Sequence, residues 1–215
     1  MSESASQRRF PRLYPILDAG ALAAHAIDVT RLASELREAG VELLQYRNKT
    51  GEPQSVLRVV TLIREVFVGT ECRLVLNDRS DLAVLGGWDG VHVGQEDLTP
   101  KDARAVVGAD RWIGVSTHTE EQVRVADLSC ADYVAVGPVF ATGTKLDAEP
   151  VVGLAGVRLA RLLTKKPIVA IGGITRENAR SVIEAGADSV AVISALFVEG
   201  ETVEKVAGDF LENLR

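Results

Sequence analysis

Short apolar runs recur eight times along the chain, and each ends in a small cluster of polar or glycine residues before a helical stretch begins. Most runs are continuous Val, Ile and Leu segments, which is typical of parallel strands covered on both faces. The pattern predicts strands near residues 13–17, 42–46, 73–77, 90–93, 112–115, 133–136, 168–171 and 189–193. It predicts helices near residues 28–39, 54–68, 79–85, 101–107, 119–126, 153–163, 175–185 and 201–213. Reactive residue types concentrate at the carboxyl ends of these strands, where a (β/α)8 barrel builds its active site. We therefore predict a single TIM barrel over residues 11–215, preceded by a disordered tail over residues 1–10.

Helix start and stop signals agree with this map. Asp28, Thr119 and Thr175 are predicted N-caps, and Thr119 with a glutamine three residues later forms a capping box. Gly40 and Gly186 each follow a helical stretch, as expected for a residue that ends a helix in the left-handed conformation.

Composition narrows the class of protein. The chain has 215 residues, 47% of them hydrophobic, and a formal net charge of −6, so non-specific binding to nucleic acid is not expected. No stretch is apolar enough over a sufficient length to cross a bilayer, and the N-terminal residues lack the apolar region of a signal peptide. We therefore expect a cytoplasmic enzyme. Cys72 and Cys130 match no metal spacing and are predicted to be buried small hydrophobes.

The second strand ends in a run of alternating donors. Gln45, Arg47 and Lys49 lie two residues apart, so in extended chain their side chains point to the same side. Two neighbouring cations repel each other unless an anion lies between them, and the planar fork of arginine suits phosphate oxygens. The run therefore predicts an anion site, against the alternative of a solvated charged loop.

Carboxylates follow the next two strands. Asp78 comes after the third strand, beside Asn77, and Asp97 comes after the fourth, so adjacent loops can bring the two together. Two carboxylates with no fixed cation nearby favour a divalent ion, and Mg²⁺ takes one or two carboxylates together with phosphate oxygens and water. The alternative is that each aspartate caps a helix. This alternative is weaker for Asp97, because Thr99, directly before Pro100, is the better cap for the helix that follows.

The remaining loops predict a second anion site. The segment 137–145 is bracketed by glycines and contains Thr142, Thr144 and Lys145, which can surround a phosphate. Gly173 and Ser194 follow the seventh and eighth strands, where this barrel commonly binds phosphate through backbone amides. Plain surface loops and a tight glycine turn are the alternatives.

The histidines are divided between structure and site. His25 is predicted at the surface, and His92, within the fourth strand, is predicted to be a hydrogen-bonded structural residue. His118, at the end of the fifth strand, can face the pocket, but a role as general base is left open.

The ordered motifs QYRNK, LNDR, GVHVGQED, GVSTH, VGPVFATGTK, AIGGI and AVISA resemble the thiamine-phosphate synthase family across essentially the whole barrel. The resemblance implies transfer of a hydroxymethylpyrimidine group from its diphosphate to a thiazole phosphate, with diphosphate released. By motif, the pyrimidine diphosphate would contact Gln45, Arg47, Lys49, Asn77, Ser116 and Lys145. The thiazole phosphate would contact Thr142, Thr144, Gly173, Ile193 and Ser194. The Mg²⁺ ion would bind Asp78 and Asp97, and Arg47, Lys49, Lys145 and Ser116 would act in catalysis.

Two alternative functions are kept. A related barrel that isomerises the thiazole would not need the diphosphate and metal half of the site. A non-catalytic barrel that binds a phosphorylated ligand would show no Mg²⁺-dependent turnover. The partners expected in either case are small molecules, not nucleic acid or membrane, and assembly into a homo-oligomer is compatible with the sequence. Whether a carboxylated thiazole is the substrate is not decided by the residues.

Overall fold

The computed structural model describes residues 9–142 and 150–215. Within them, eight parallel strands close into one barrel in chain order, which confirms the predicted fold. The strands are β1 Leu13–Asp18, β2 Leu43–Arg47, β3 Arg73–Asn77, β4 Gly90–Val93, β5 Trp112–Thr117, β6 Tyr133–Val136, β7 Ile168–Ile171 and β8 Ser189–Val192. The helices are α1 Ala19–Ala24, α2 Val29–Glu38, α3 Pro53–Val66, α4 Ser80–Leu85, α5 Pro100–Val107, α6 Glu120–Leu128, α7 Gly153–Leu163, α8 Ala179–Glu184 and α9 Val203–Asn213.

Alternation along each strand divides the core into two layers. In β1, Leu13 and Leu17 belong to the cluster between the barrel and its helices, whereas Tyr14 and Ile16 belong to the cluster inside the barrel. Both layers are buried, and for this reason the strands are apolar runs without an exposed face.

Aromatic residues gather at the amino ends of the strands. The Phe10 ring stacks on Trp112, the first residue of β5, with 5.3 Å between ring centroids. The Arg73 guanidinium lies 4.3 Å from the Trp112 centroid. Phe10 belongs to the predicted tail, of which residues 1–8 lie outside the described part of the chain. The barrel floor is therefore covered by a residue that precedes the first strand.

Most capping predictions are confirmed. The Asp28 side chain accepts from the Arg31 N–H, and Thr119 forms the capping box with Gln122. Gly40 and Gly186 have φ of 81° and 115°. The prediction that Thr175 is an N-cap was wrong, because residues 176–178 form a turn and the helix begins only at Ala179, with Asn178 in the cap position.

The structure differs from the sequence-based predictions at one short helix and one cysteine. Helix α1 was not predicted, although Asp18 caps it by accepting from the Ala21 N–H at 2.9 Å. Cys130 is exposed and not buried, because it lies in the turn between α6 and β6, outside both core layers.

Gly114 shows how tightly the barrel interior is packed. A Cβ atom there would lie 2.0 Å from the Cζ atom of Tyr133, 2.3 Å from its hydroxyl oxygen and 2.4 Å from its Cε2 atom. All three atoms belong to the buried Tyr133 side chain, which has no space to move away from an added methyl group. We expect Gly114→Ala to lower the free energy of unfolding by about 1–3 kcal/mol, as overpacking usually does.

The measurement is urea unfolding followed by circular dichroism. Gly208→Ala is the matched control, since a Cβ there meets nothing within 4 Å and the residue lies inside α9. It should be neutral or stabilising by about 0.5–1 kcal/mol. Equal midpoints for both variants would show that the interior adapts to the added methyl group.

Candidate active site

Arg47, the last residue of β2, is held by Asp18, the last residue of β1. The Arg47 guanidinium donates to Asp18 Oδ2, and both side chains are largely buried. The other carboxylate oxygen of Asp18 caps α1, so the aspartate is fixed from two sides. Asp18 orients Arg47 while leaving most of its five N–H groups able to donate elsewhere. The sequence analysis did not include Asp18 among the predicted site residues.

Lys49 lies between the two predicted metal carboxylates. Its Nζ is 2.7 Å from Asp78 Oδ2 and 3.8 Å from Asp97 Oδ2. The adjacent loops do bring Asp78 and Asp97 together, as predicted. The premise that no cation lies near them was wrong, because the loop after β2 folds Lys49 toward β3 and β4 instead of toward Arg47. Each cation thus has a carboxylate partner.

The carboxylate pair is coupled. Burial and the hydrogen bond with Asp97 raise the pKa of Asp78 above its ordinary value, against the opposing effect of Lys49. Burial also acts to raise the pKa of Asp97, but hydrogen bonds from Asp78 and from the Gly94 N–H outweigh it and lower that pKa. Two carboxyl groups this close cannot both ionise freely without positive charge beside them.

Asp78 has an unusual backbone conformation. Its φ is 61°, in the left-handed region that few residues other than glycine adopt. Its N–H donates to the His92 carbonyl on β4 at 2.8 Å. The helix N-cap interpretation is wrong for this residue, since α4 begins after Arg79 with no side-chain cap. The backbone is instead fixed in a form that turns the carboxylate toward Lys49 and Asp97.

Asn77 is the most direct sign of a ligand. Only 9% of its surface is exposed, and its Nδ2 atom is buried without a hydrogen-bond partner among the described residues. An unmade hydrogen bond of this kind costs about 1–3 kcal/mol. An acceptor on a bound molecule would satisfy the donor.

Gln45 and Ser116 lie deeper than Arg47 and Lys49. Gln45 is 2% exposed, and its Nε2 donates to the Tyr14 hydroxyl at 3.0 Å. Ser116 Oγ lies 2.9 Å from His92 Nε2. The donor series 45, 47, 49 therefore runs from the barrel interior outward, and only its outer members reach the mouth.

Two adjoining cavities connect these residues. The larger, of about 620 Å³, is lined by residues of both predicted subsites, among them Lys49, Asp97, Thr142, Gly173, Ile193 and Ser194. The smaller, of about 50 Å³, lies deeper in the barrel, and its lining includes Gln45, Arg47, Asn77, His92 and Ser116. Ile193 and His118 line both cavities, so the two subsites are neighbours. Thr144 and Lys145 fall outside the described residues.

Gly172 and Gly173 are required by conformation and by packing. Their φ values are 101° and 62°, and a Cβ on Gly173 would lie 2.5 Å from the Ala141 carbonyl oxygen. The Phe140 N–H donates to the Gly172 carbonyl at 3.0 Å. The glycine pair thus lets the loop after β6 pack against the loop after β7. This packing places Thr142, in the loop after β6, at the wall of the larger cavity.

The histidines occupy the predicted places. His25 is exposed, and His92 is 7% exposed with both ring nitrogens hydrogen-bonded. His118 faces the larger cavity, and its Nδ1 lies 2.7 Å from the Gly137 carbonyl. Because that carbonyl can only accept, Nδ1 carries a proton, and in the neutral imidazole Nε2 is the acceptor.

Residues 9–142 and 150–215 contain no group of three or more His, Cys, Asp or Glu side chains placed to hold a metal ion. A site of two carboxylates completed by phosphate oxygens and water is compatible with that result. In the same residues, no helix has the length and apolar character needed to cross a membrane.

Comparison with known proteins gives a consistent result. The family described as thiamine monophosphate synthase matches residues 13–196. A thiamine-phosphate synthase of Koribacter versatilis is 50% identical over 212 residues, covering 98% of this chain and 99% of that protein. One of Methanosarcina mazei is 40% identical over 178 residues, covering 83% of this chain and 73% of that protein. The solved thiamine phosphate pyrophosphorylase of Pyrococcus furiosus superposes with a TM-score of 0.82 at 30% identity, covering 94% of this chain and 95% of that one.

Proposed function

Because the chain belongs to the thiamine-phosphate synthase family, we propose that its barrel mouth couples a hydroxymethylpyrimidine diphosphate to a thiazole phosphate. Enzymes of this family are transferases that act on small molecules. The observation that best supports the proposal is the meeting of two unlike anion sites in one cavity of about 620 Å³. One side has Lys49 and Asp97, with Arg47 and Asn77 in the adjoining smaller cavity, and the other has glycine backbone and hydroxyl groups.

The diphosphate side would contain Arg47, Lys49, Asn77 and, by resemblance, Lys145. Arg47 is oriented by Asp18, so its guanidinium is held in place before substrate arrives. The orphaned Nδ2 of Asn77 is a donor that a substrate acceptor would satisfy. Positive groups fixed where the leaving oxygens gain charge stabilise the transition state, which is commonly the largest catalytic contribution.

Asp78 and Asp97 are proposed to hold Mg²⁺. Two oxygen donors from adjacent loops fit the ion's preference, and the carboxylates are already close enough to share a hydrogen bond. The ion, when bound, would supply positive charge to the leaving diphosphate. Lys49, which lies between the two carboxylates, would add its own positive charge beside the leaving oxygens.

The thiazole phosphate side would contain Thr142, Thr144, Gly173, Ile193 and Ser194. Backbone N–H groups exposed by the two glycines can approach phosphate oxygens closely. The reaction then has two bond changes. The carbon–oxygen bond to diphosphate breaks with its electron pair leaving on oxygen, and the aminopyrimidine stabilises the positive charge left on the methylene carbon. The thiazole nitrogen then captures this cation by donating its own electron pair to the carbon. The thiazole nitrogen has no proton to lose, so no general base is required, and proximity supplies much of the rate.

The Gly173→Val variant tests whether the thiazole phosphate subsite is distinct from the diphosphate subsite. We expect the KM for thiazole phosphate to rise about tenfold or more, as loss of one charged hydrogen bond predicts, with little change for the pyrimidine diphosphate. The measurement is a pair of steady-state titrations, one for each substrate, with thiamine phosphate identified as product. Gly69→Val is the matched control: its φ of 79° imposes the same backbone strain, and a Cβ there meets nothing within 4 Å.

Equal rises in both KM values for Gly173→Val, or a rise in the Gly69→Val control, would mean that the barrel is damaged or that the subsites are misassigned.

A cytoplasmic location and assembly into a homo-oligomer stay predictions.

A further inference from the structure

A continuous series of side-chain hydrogen bonds crosses the barrel interior. Gln45 Nε2 donates to the Tyr14 hydroxyl at 3.0 Å, and the Tyr14 and Tyr133 hydroxyls are 2.9 Å apart. The Tyr133 hydroxyl lies 3.0 Å from His92 Nδ1, and His92 Nε2 lies 2.9 Å from Ser116 Oγ. Five different strands contribute one residue each. The series begins and ends at residues that line the smaller cavity.

The two tyrosines are held rigidly. Tyr14 is 1% exposed and Tyr133 is fully buried, and burial raises the pKa of both hydroxyls far above the ordinary value, so both carry a proton at neutral pH. The Tyr133 ring packs against Gly114 on one side and against Phe10, with 5.5 Å between ring centroids, toward the barrel floor. It also stacks with the His92 ring at 5.6 Å.

The direction of the series follows from counting protons. Each hydroxyl has one proton, and the amide nitrogen of Gln45 can only donate. If Tyr14 donates to Tyr133, then Tyr133 donates to His92 Nδ1, and every proton has an acceptor. In the opposite direction the Tyr14 proton would be buried with no acceptor among the described residues, which is strongly unfavourable.

We propose that Tyr14 and Tyr133 are positioning residues that fix His92 as the tautomer with its proton on Nε2. His92 then donates to Ser116 Oγ, and the Ser116 hydroxyl proton is left to donate into the smaller cavity. The group that it meets there must be an acceptor, which on a heteroaromatic ring is an unprotonated ring nitrogen. This assignment deepens the proposed function and rests on it for the identity of the ring.

The first test does not depend on activity. In a nitrogen-15 spectrum of the histidine rings near pH 8, His92 should show its proton on Nε2, with its signals assigned by their loss in His92→Gln. Tyr133→Phe removes the donor to Nδ1, so His92 should become a mixture of tautomers. Tyr46→Phe is the matched control, since Tyr46 belongs to the outer core layer and its hydroxyl pairs with Asn48. It should leave the His92 signals unchanged.

A proton on Nδ1 in the unmodified protein would overturn the proposal, because Gln45 would then be accepting and Ser116 donating to His92. An unchanged tautomer in Tyr133→Phe would overturn it as well.

The second test measures substrate recognition. Tyr133→Phe should raise the KM for the pyrimidine diphosphate about fivefold, the effect of one ordinary hydrogen bond, and leave the KM for thiazole phosphate unchanged. In a Ser116→Ala background the same change should have almost no further effect, because Tyr133 acts through Ser116. Independent, multiplying effects would overturn the positioning role. If the expected tautomers appear but no thiamine phosphate forms, the proposed function fails while the assignment of His92 holds.

Discussion

Replacing Lys49 with alanine is expected to lower kcat/KM roughly 10²–10³-fold, the usual effect of removing one preorganised charge that stabilises a transition state. Lys49 lies between Asp78 and Asp97. In the proposed reaction it stabilises the charge that develops on the departing diphosphate. The loss should therefore fall mainly on kcat for diphosphate release, with the KM for thiazole phosphate nearly unchanged.

Lys101→Ala is the matched control for this variant. Lys101 is exposed in the first turn of α5 and lines neither cavity, so its removal should leave both kinetic constants at parent values. If Lys49→Ala retained the parental kcat/KM, Lys49 would be only a structural partner of the carboxylates, and the diphosphate side of the site would have to be reassigned.

Asp97→Asn is expected to raise the Mg²⁺ concentration needed for half-maximal rate. The increase should reach at least the roughly 10–100-fold change seen when merely an outer partner of a metal ligand is lost. The carboxylate also accepts from the Gly94 N–H, and the asparagine oxygen can keep that bond. Folding should be preserved, and thiazole phosphate binding should not change. The measurement is initial rate against Mg²⁺ concentration at saturating substrates.

Asp81→Asn is the control for charge removal. Asp81 lies three residues from Asp78, but it is more than half exposed and pairs with Arg79 at the surface, where an ion pair contributes little. Its Mg²⁺ curve should overlap that of the parent. Overlap of the Asp97→Asn curve as well would exclude the two-carboxylate metal site.

The barrel itself was predictable from sequence because its strands are buried on both faces. Continuous apolar runs that end in polar clusters have few other structural interpretations, and the capping signals at Asp28 and Thr119 operate within a few residues. The turn before α8 was missed because Thr175 looks like a cap, whereas the chain there makes one irregular turn before the helix begins.

The components of the site were predictable, but their pairing was not. Strand ends showed that Lys49, Asp78 and Asp97 belong to the mouth. Which carboxylate each cation approaches depends on how the loops fold back, and no local pattern encodes that direction. Asp18 was similarly overlooked because its partner Arg47 is distant in sequence.

The hydrogen-bond series inside the barrel was the feature that the sequence predicted least. Tyr14 and Tyr133 are separated by 119 positions, and in sequence each is one more aromatic residue in an apolar strand. Only closure of the barrel brings their hydroxyls together beside His92.

The most direct test of the account measures diphosphate release under four conditions with the purified protein. The conditions are the pyrimidine diphosphate alone, the thiazole phosphate alone, both substrates with Mg²⁺, and both with the metal removed by a chelator. The account predicts release only with both substrates and Mg²⁺, with one thiamine phosphate formed for each diphosphate. Release at the same rate from the pyrimidine diphosphate alone, or conversion of the thiazole without any release, would contradict it.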